Sequence, residues 1–208
     1  MSAAIATNEF NPAKADAFAA RFLTTLNNGA LCLMASVGHR TGLFDVMSKV
    51  PHGTSHEIAV STGLNERYVR EWLGAMLTAG VLEYDHATSR FSLPAEHAAF
   101  LTRAAAADNL AVFAQYIAVL GTVEDDIVEC FRNGGGVPYE RFPRFHEVMA
   151  EDSGQSVMST LESHILPLVS GLTDRLARGI HVLDAGCGRG RVLNRLAELF
   201  PRSRFVGM

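Results

Sequence analysis

The sequence predicts a mainly α-helical chain that holds a winged helix-turn-helix in its first half and begins a parallel α/β unit at residues 180–208. Three patterns carry this expectation. Apolar residues recur at helical spacing through most of residues 15–178. Within that stretch, two short helix patterns meet at Gly63 and are followed by two alternating apolar and polar runs, the order of a winged helix-turn-helix. From residue 180 a short apolar run, a glycine-rich turn and an amphipathic helix follow one another.

A length of 208 residues with 48% hydrophobic and 19% charged residues suits a folded chain of one or two domains and excludes general disorder. The formal charge of −4 leaves no overall positive field for phosphate backbones or anionic lipid, so nucleic-acid binding would need a local basic patch. The longest nearly apolar run, around residues 29–37, is far below the roughly 20 residues that cross a bilayer, and no basic segment of a secretory signal precedes it. A cytoplasmic protein without membrane contact is expected. Cys32, Cys130 and Cys187 are odd in number, far apart and without a CxxC pair, which predicts reduced thiols and neither disulfides nor a zinc knuckle.

The first segment is polar and alanine-rich as far as Pro12. Residues 15–37 then predict a long helix, bent near Asn27, Asn28 and Gly29, with Phe18, Phe22, Leu23, Leu26, Leu33 and Val37 at helical spacing. A short helix is expected at 41–50, closed by the turn Pro51-His52-Gly53. Thr54 and Glu57 have the spacing of a capping box for a helix that runs to Thr62 and stops at Gly63. Asn65 caps the next helix, in which Tyr68/Val69, Trp72/Leu73 and Met76/Leu77 advance by four residues as one buried stripe, and Gly80 ends it. Leu82 and Tyr84 alternate with Glu83 and Asp85, and Phe91 and Leu93 with Arg90 and Ser92, so the segment reads as a β-hairpin turning at 86–89. A helix over 104–131 carries Leu110, Phe113, Ile117, Leu120, Ile127 and Val128, and Gly134-Gly135-Gly136 with Pro138 breaks it. Further helix is expected over 144–178, with Pro167 starting a new helix or kinking the old one. A strand at 180–184, a loop at 185–190, a helix at 191–200 with Val192, Leu193, Leu196 and Leu199 inward, and a strand from 204 make up a βαβ unit.

The loop Asp184-Ala185-Gly186-Cys187-Gly188-Arg189-Gly190 follows a strand and opens a helix. Its alternate glycines let a ligand approach the backbone, and free N–H groups at the helix start can donate to its oxygens, which implies a nucleotide-type cofactor. Two patterns compete here, the dinucleotide fingerprint GxGxxG and the S-adenosylmethionine pattern DxGxGxG. The dinucleotide fingerprint needs glycine where Arg191 stands. It also puts the Asp184 carboxylate beside a pyrophosphate, and the two charges repel. S-adenosylmethionine has no phosphate but carries a positive sulfonium and a positive ammonium, which a carboxylate suits.

From His181 to Gly190 the sequence resembles the first motif of class I S-adenosylmethionine-dependent methyltransferases. The winged helix and long helices upstream are similar to the subgroup with an N-terminal winged-helix domain, which includes actinobacterial small-molecule methyltransferases. The resemblance covers essentially the whole chain. It implies transfer of a methyl group from S-adenosylmethionine to oxygen, nitrogen or carbon of a small molecule. It also implies that Asp184 orients the methionine end of the cofactor while Gly186, Gly188 and Gly190 form the turn beneath, with Cys187 supplying packing and a backbone contact. The implied organisation is an N-terminal helix and winged-helix dimerisation domain at 1–103, a helical linker or lid at 104–179, and the start of a Rossmann-like α/β methyltransferase domain at 180–208. A homodimer follows, packed through the N-terminal domain with the first helix entering the partner. Such domains have a seven-stranded sheet whose second strand ends in an acidic residue for the ribose hydroxyls, and this sequence ends at Met208, where that residue belongs. The chain is therefore expected to be an N-terminal fragment, truncated after the first motif and inactive alone, and no catalytic base is assigned.

Other readings weigh less. A DNA-binding regulator with a cofactor-sensing fold is the alternative, but the outward positions of the second helix are Arg67, Arg70, Glu71, Gly74 and Thr78. The whole module holds three arginines against five carboxylates, a poor face for DNA. Without an HExxH motif or paired Cys/His spacing, no metal is required; His52 and His56 are separated by a turn, and Glu124-Asp125-Asp126 with Glu129 reads as solvated helix surface. Tyr139, Phe142, Phe145 and His146 lie just beyond the glycine hinge and either line an acceptor pocket or pack a loop, the plainer reading.

Overall fold

The computed structural model describes residues 10–208; the polar start of the chain, residues 1–9, lies outside the described residues. Helix α1 spans Pro12–Thr41, longer than expected at both ends. Asn11 caps it, its side chain accepting the Lys14 amide at 3.1 Å, and Pro12 fits the first turn because no partner exists there for the N–H it lacks. The helix runs through Asn27, Asn28 and Gly29 without interruption. It ends at Gly42, and α2 is only Leu43–Met47, so Thr41 belongs to α1 and residues 48–50 are turn, a correction to the helix expected at 41–50.

Helix α3, Ser55–Thr62, opens with the expected capping box: the Thr54 amide donates to Glu57 at 2.8 Å and the Glu57 amide to the Thr54 hydroxyl at 3.2 Å. Helix α4, Glu66–Thr78, buries Val69, Trp72, Leu73 and Met76. Tyr68 is exposed, which corrects the expected stripe; it sits about 100° around the helix from Val69, past the stripe's edge. Strands β1, Glu83–Asp85, and β2, Arg90–Ser92, pair antiparallel with Tyr84 opposite Phe91. The core of this domain joins α2, α3 and α4 to the C-terminal half of α1. Trp72 packs edge-on against Phe44 with ring centroids 5.3 Å apart, and its indole N–H donates to the Met34 carbonyl at 2.8 Å. The N-terminal half of α1 leaves Phe18, Phe22, Leu23 and Leu26 exposed.

The single helix expected at 104–131 is broken. Helix α5, Ala95–Leu101, and a 3₁₀ segment, Arg103–Asp108, precede α6, Ala111–Gly121, and α7, Glu124–Asn133. The apolar residues at helical spacing, Leu110, Phe113, Ile117, Leu120, Ile127 and Val128, are exposed, while Ala111, Val112, Gln115, Val119 and Val123 are buried. Helix α6 is apolar on most of its sides, so periodicity cannot choose its face, whereas α7 is amphipathic and its apolar side is left uncovered. The smaller residues let α6 lie close against α1 and leave the larger ones outside.

The helix expected at 144–178 also divides. Helix α8, Phe145–Ser153, widens into π-helical turns at Gly154–Met158 and Leu161–Ile165, Pro167 sits in the 3₁₀ segment Leu166–Leu168, and α9 covers Leu172–Arg178. The Ser156 and Thr160 hydroxyls donate to carbonyls four residues back, at 2.8 and 2.7 Å, competing with the regular ladder. Strand β3, His181–Asp184, helix α10, Arg191–Leu199, and strand β4, Arg204–Gly207, complete the described chain. The strands are parallel, with Val182 opposite Phe205 and Asp184 opposite Gly207. A second core gathers Leu161, Leu166, Leu176 and Leu196 against Val182 and Phe205, while Leu183 and Val206 on the other face are exposed.

Candidate functional site

The turn between β3 and α10 is built by glycine. Gly186, Gly188 and Gly190 have φ of 92°, 55° and 69°, a left-handed backbone that side chains rarely adopt. The end of β4 holds the turn in place: the Met208 carbonyl accepts the Gly186 and Cys187 amides at 2.8 and 3.3 Å, and the Met208 amide donates to the Asp184 carbonyl at 3.0 Å. Gly190 donates to the Cys187 carbonyl at 2.9 Å and precedes the first turn of α10. Among the described residues, the amides of Gly188 and Arg189 and of the first turn of α10 donate to no backbone carbonyl, leaving a row of free donors.

A cavity of about 510 Å³ opens above this turn. One wall is the turn and helix start, with Asp184, Gly186, Cys187, Gly188, Arg189, Arg191 and Val192; the other is α8 and its extension, with His146, Met149, Ala150, Ser153 and Val157. The volume falls within the range of small-molecule and cofactor sites. Among the described residues, no donor bonds the Asp184 carboxylate, so a cationic ligand group would find an unengaged anion at the cavity wall. Of the five residues expected at the site, four line the cavity, and Gly190 stands behind it as the cap of α10. Of the α8 wall, only His146 stands out in the sequence as a candidate, although the spacing 146, 149, 150, 153 and 157 is that of one helix face.

Tyr139, Phe142, Phe145 and His146 pack on one another with ring centroids 5.9 to 6.2 Å apart, and His146 alone of the four lines the cavity. In the acidic run, Asp126 accepts two hydrogen bonds from Arg141, at 2.9 and 3.1 Å, across the triple-glycine loop. Helix α8 is tied to α6 by the Tyr116 hydroxyl, which donates to Asp152 at 3.0 Å. Burial of the ring, then the hydrogen bond to Asp152 and its negative charge, push the Tyr116 phenol up to about 12. The folded state thus holds this proton more tightly than the unfolded chain. The tie contributes fully below the ordinary tyrosine value of 10.0 and is lost as pH rises through 12. In an ultraviolet titration one tyrosine should therefore ionise well after the others. Tyr116→Phe should remove that late step, and Asp152→Asn should shift it toward 10; a titration without a late step in the wild type would contradict the geometry.

Comparison with known proteins agrees with this architecture. Residues 29–103 match the model of the Rv2258c-like winged HTH domain. No curated protein matches the chain by sequence. Among solved structures, the chain is similar to the mitomycin 7-O-methyltransferase MmcR, with a TM-score of 0.61 and 18% identity over 94% of this chain and 59% of that one. It is similar to human N-acetylserotonin methyltransferase in complex with SAM, with a TM-score of 0.59 and 14% identity over 98% of this chain and 60% of that one. A putative O-methyltransferase from Nostoc punctiforme gives a TM-score of 0.59 and 16% identity over 90% and 55% of the two chains. The chain thus spans about three fifths of the length of the structures it matches. Residues 29–103 form a winged helix-turn-helix domain of the Rv2258c-like kind, and the chain as a whole shares the fold of these methyltransferase structures over the part it spans.

Proposed function

We propose that the chain belongs to an S-adenosylmethionine-dependent methyltransferase acting on a small molecule, and that the cavity between α8 and the glycine turn receives the methyl donor. In this reading β3, α10 and β4 are the first βαβ of a Rossmann-like methyltransferase domain that begins at residue 180. Residues 104–179 are the helical linker and lid, and residues 1–103 the dimerisation domain of a homodimer. The observation that carries the reading is the Asp184 carboxylate, without a hydrogen-bond partner among the described residues, beside a row of unused amide donors. A carboxylate and free N–H groups side by side suit a ligand with both a cationic and an anionic end, as the amino-acid portion of S-adenosylmethionine has.

When bound, S-adenosylmethionine supplies a methyl group made electrophilic by its sulfonium. Asp184 would pair with the ammonium, and the amides of Gly188 and Arg189 and of the first turn of α10 would donate to the carboxylate. Met149, Ala150 and Val157 exclude water from the α8 side, which favours alignment of the two reactants in a dry pocket. The likenesses to MmcR, an O-methyltransferase, and to N-acetylserotonin methyltransferase support methyl transfer to an organic acceptor as the reaction class. The winged helix supports a structural role over DNA binding, because Arg90 is paired with Glu57 at 2.9 Å and Arg70 lies 3.7 Å from Glu66, leaving little free positive charge.

Calorimetric titration with S-adenosylhomocysteine tests the reading. The wild-type chain should bind, and Asp184→Asn should bind at least about tenfold more weakly, the loss of one charge-assisted hydrogen bond. Equal affinity in the two proteins, or none in the wild type, would remove the donor assignment.

A further inference from the structure

Arg191 breaks the dinucleotide fingerprint, and the donor-binding pattern does not account for it. In the structure it reaches away from the turn, and its guanidinium donates to the Ala150 carbonyl at 2.9 Å. Ala150 lies one turn before α8 widens into the π-helical segment, where the regular ladder is loosened. Gly154 makes room for the approach, since a Cβ there would stand 3.2 Å from the Arg191 guanidinium nitrogen.

The next residue of α8, about 100° around the helix, is held by other elements. Glu151 accepts the His39 ring at 2.8 Å and the Gln115 amide at 2.8 Å, and Arg103 lies 3.4 Å away. Gln115 is oriented by Arg144, which donates to its carbonyl oxygen at 2.7 Å. His39 and Gln115 are buried, and His39 stands in the last turn of α1 within the winged-helix domain. Burial opposes the charge on Glu151, but the hydrogen bonds from Gln115 and His39 and the charges of His39 and Arg103 outweigh it and hold the carboxyl below its usual range. A continuous chain of contacts therefore runs from α1 through Glu151 and Ala150 to Arg191 and the glycine turn.

We propose that Arg191 and Glu151 are positioning residues that hold α8 at two neighbouring points, Arg191 from the glycine turn and Glu151 from α1 and α6, so that the winged-helix domain sets the distance between α8 and the glycine turn. The consequence for donor binding rests on the reading of the cavity given above. Neither side chain needs to touch the donor for this. Both act through the α8 backbone, which forms one wall while the turn forms the other.

Amide hydrogen exchange on the full chain tests the clamp without any ligand. Glu151→Gln keeps the shape but turns one carboxylate oxygen into an NH₂ group, which must face His39, Arg103 or the amide of Gln115, and Arg144 prevents Gln115 from flipping. Exchange of the Gly186, Cys187 and Gly190 amides, the hydrogen-bonded ones of the turn, should then rise about tenfold, although the substitution is on α8. Arg191→Met, which keeps the stem and loses the donor, should do the same. Arg191→Lys, which can still donate to Ala150, should stay near the wild type, and so should Arg90→Ala in the wing. An effect of Glu151→Gln confined to residues 145–153, or an Arg191→Lys variant as impaired as Arg191→Met, would overturn the clamp. Titration of the same variants with S-adenosylhomocysteine separates the two ideas. Faster exchange at the turn with unchanged affinity would overturn the clamp's part in donor binding, whereas failure of the wild type to bind, or of Asp184→Asn to differ from it, would count against the donor reading alone.

Discussion

On the proposed homodimer, the wild-type chain is expected to sediment as a dimer and the Phe22→Glu/Leu26→Glu variant as a monomer at the same concentration. Both residues lie on the N-terminal half of α1, which extends away from the winged-helix core and leaves Phe18, Phe22, Leu23 and Leu26 each at least half exposed. An isolated helix that is apolar on its open side gains little from water, and α6 and α7 add Phe113, Ile117, Leu120, Val128 and Phe131 to the exposed apolar surface. In a twofold dimer each substitution counts twice. With about 1.5–3 kcal/mol for fully burying one such side chain, and Phe22 and Leu26 already half covered, the four lost burials amount to roughly 3–6 kcal/mol, about two to four orders of magnitude in dissociation constant. Glutamate is a good helix former, so α1 should survive and the circular dichroism should not change. A wild-type chain that is monomeric at tens of micromolar would overturn the dimer; a variant that dimerises as before would move the interface away from α1.

The elements that the sequence made legible are those with strong local signals. The capping box of Thr54 and Glu57, the Asn65 cap, the alternation around β1 and β2, and the glycine turn after β3 are each written in a few neighbouring residues. The parts that misled depend on distant contacts. The α6 segment is apolar on most of its sides, and only its packing against α1 decides that Val112 and Val119 go inward while Phe113 and Ile117 stay out. The break-up of residues 144–178 is local where Pro167 and the Ser156 and Thr160 hydroxyls interrupt the ladder, whereas the hold of Arg191 on the Ala150 carbonyl lies in no window of local sequence. The candidate site divides in the same way. Its floor, Asp184 to Gly190, is a continuous motif, whereas its α8 wall comes from residues some forty positions upstream. Gln115, a lone amide in an apolar helix, was the available hint that a buried polar network crosses this region.

Gly207→Ala should disable the site although Gly207 itself does not line it. A Cβ at this position would lie 2.5 Å from the Cys187 sulfur and 2.8 Å from the Leu193 Cδ1, distances that real Cβ atoms essentially never show. Leu193 can swing its end away and the Cys187 sulfur can rotate about χ1, but the Cys187 Cβ, 3.0 Å from the new methyl group, moves only with the glycine turn. That movement would stretch the bonds from the Gly186 and Cys187 amides to the Met208 carbonyl, which hold the free donors of the turn toward the cavity. Overpacking of this kind costs about 1–3 kcal/mol, so affinity for S-adenosylhomocysteine should fall at least about tenfold if the strain is spent on the turn. Denaturation midpoints distinguish this from a general loss of fold, because the winged-helix core is remote from Gly207 and should melt as in the wild type. The decisive variant is Cys187→Gly/Gly207→Ala, in which the sulfur and Cβ that the new methyl group meets are both gone. Recovery of affinity relative to Gly207→Ala alone, a non-additive effect between two touching positions, is the expected result. If the double variant binds no better than Gly207→Ala, the turn is not seated on β4 through Cys187, and packing of α10 through Leu193 is what Gly207 protects.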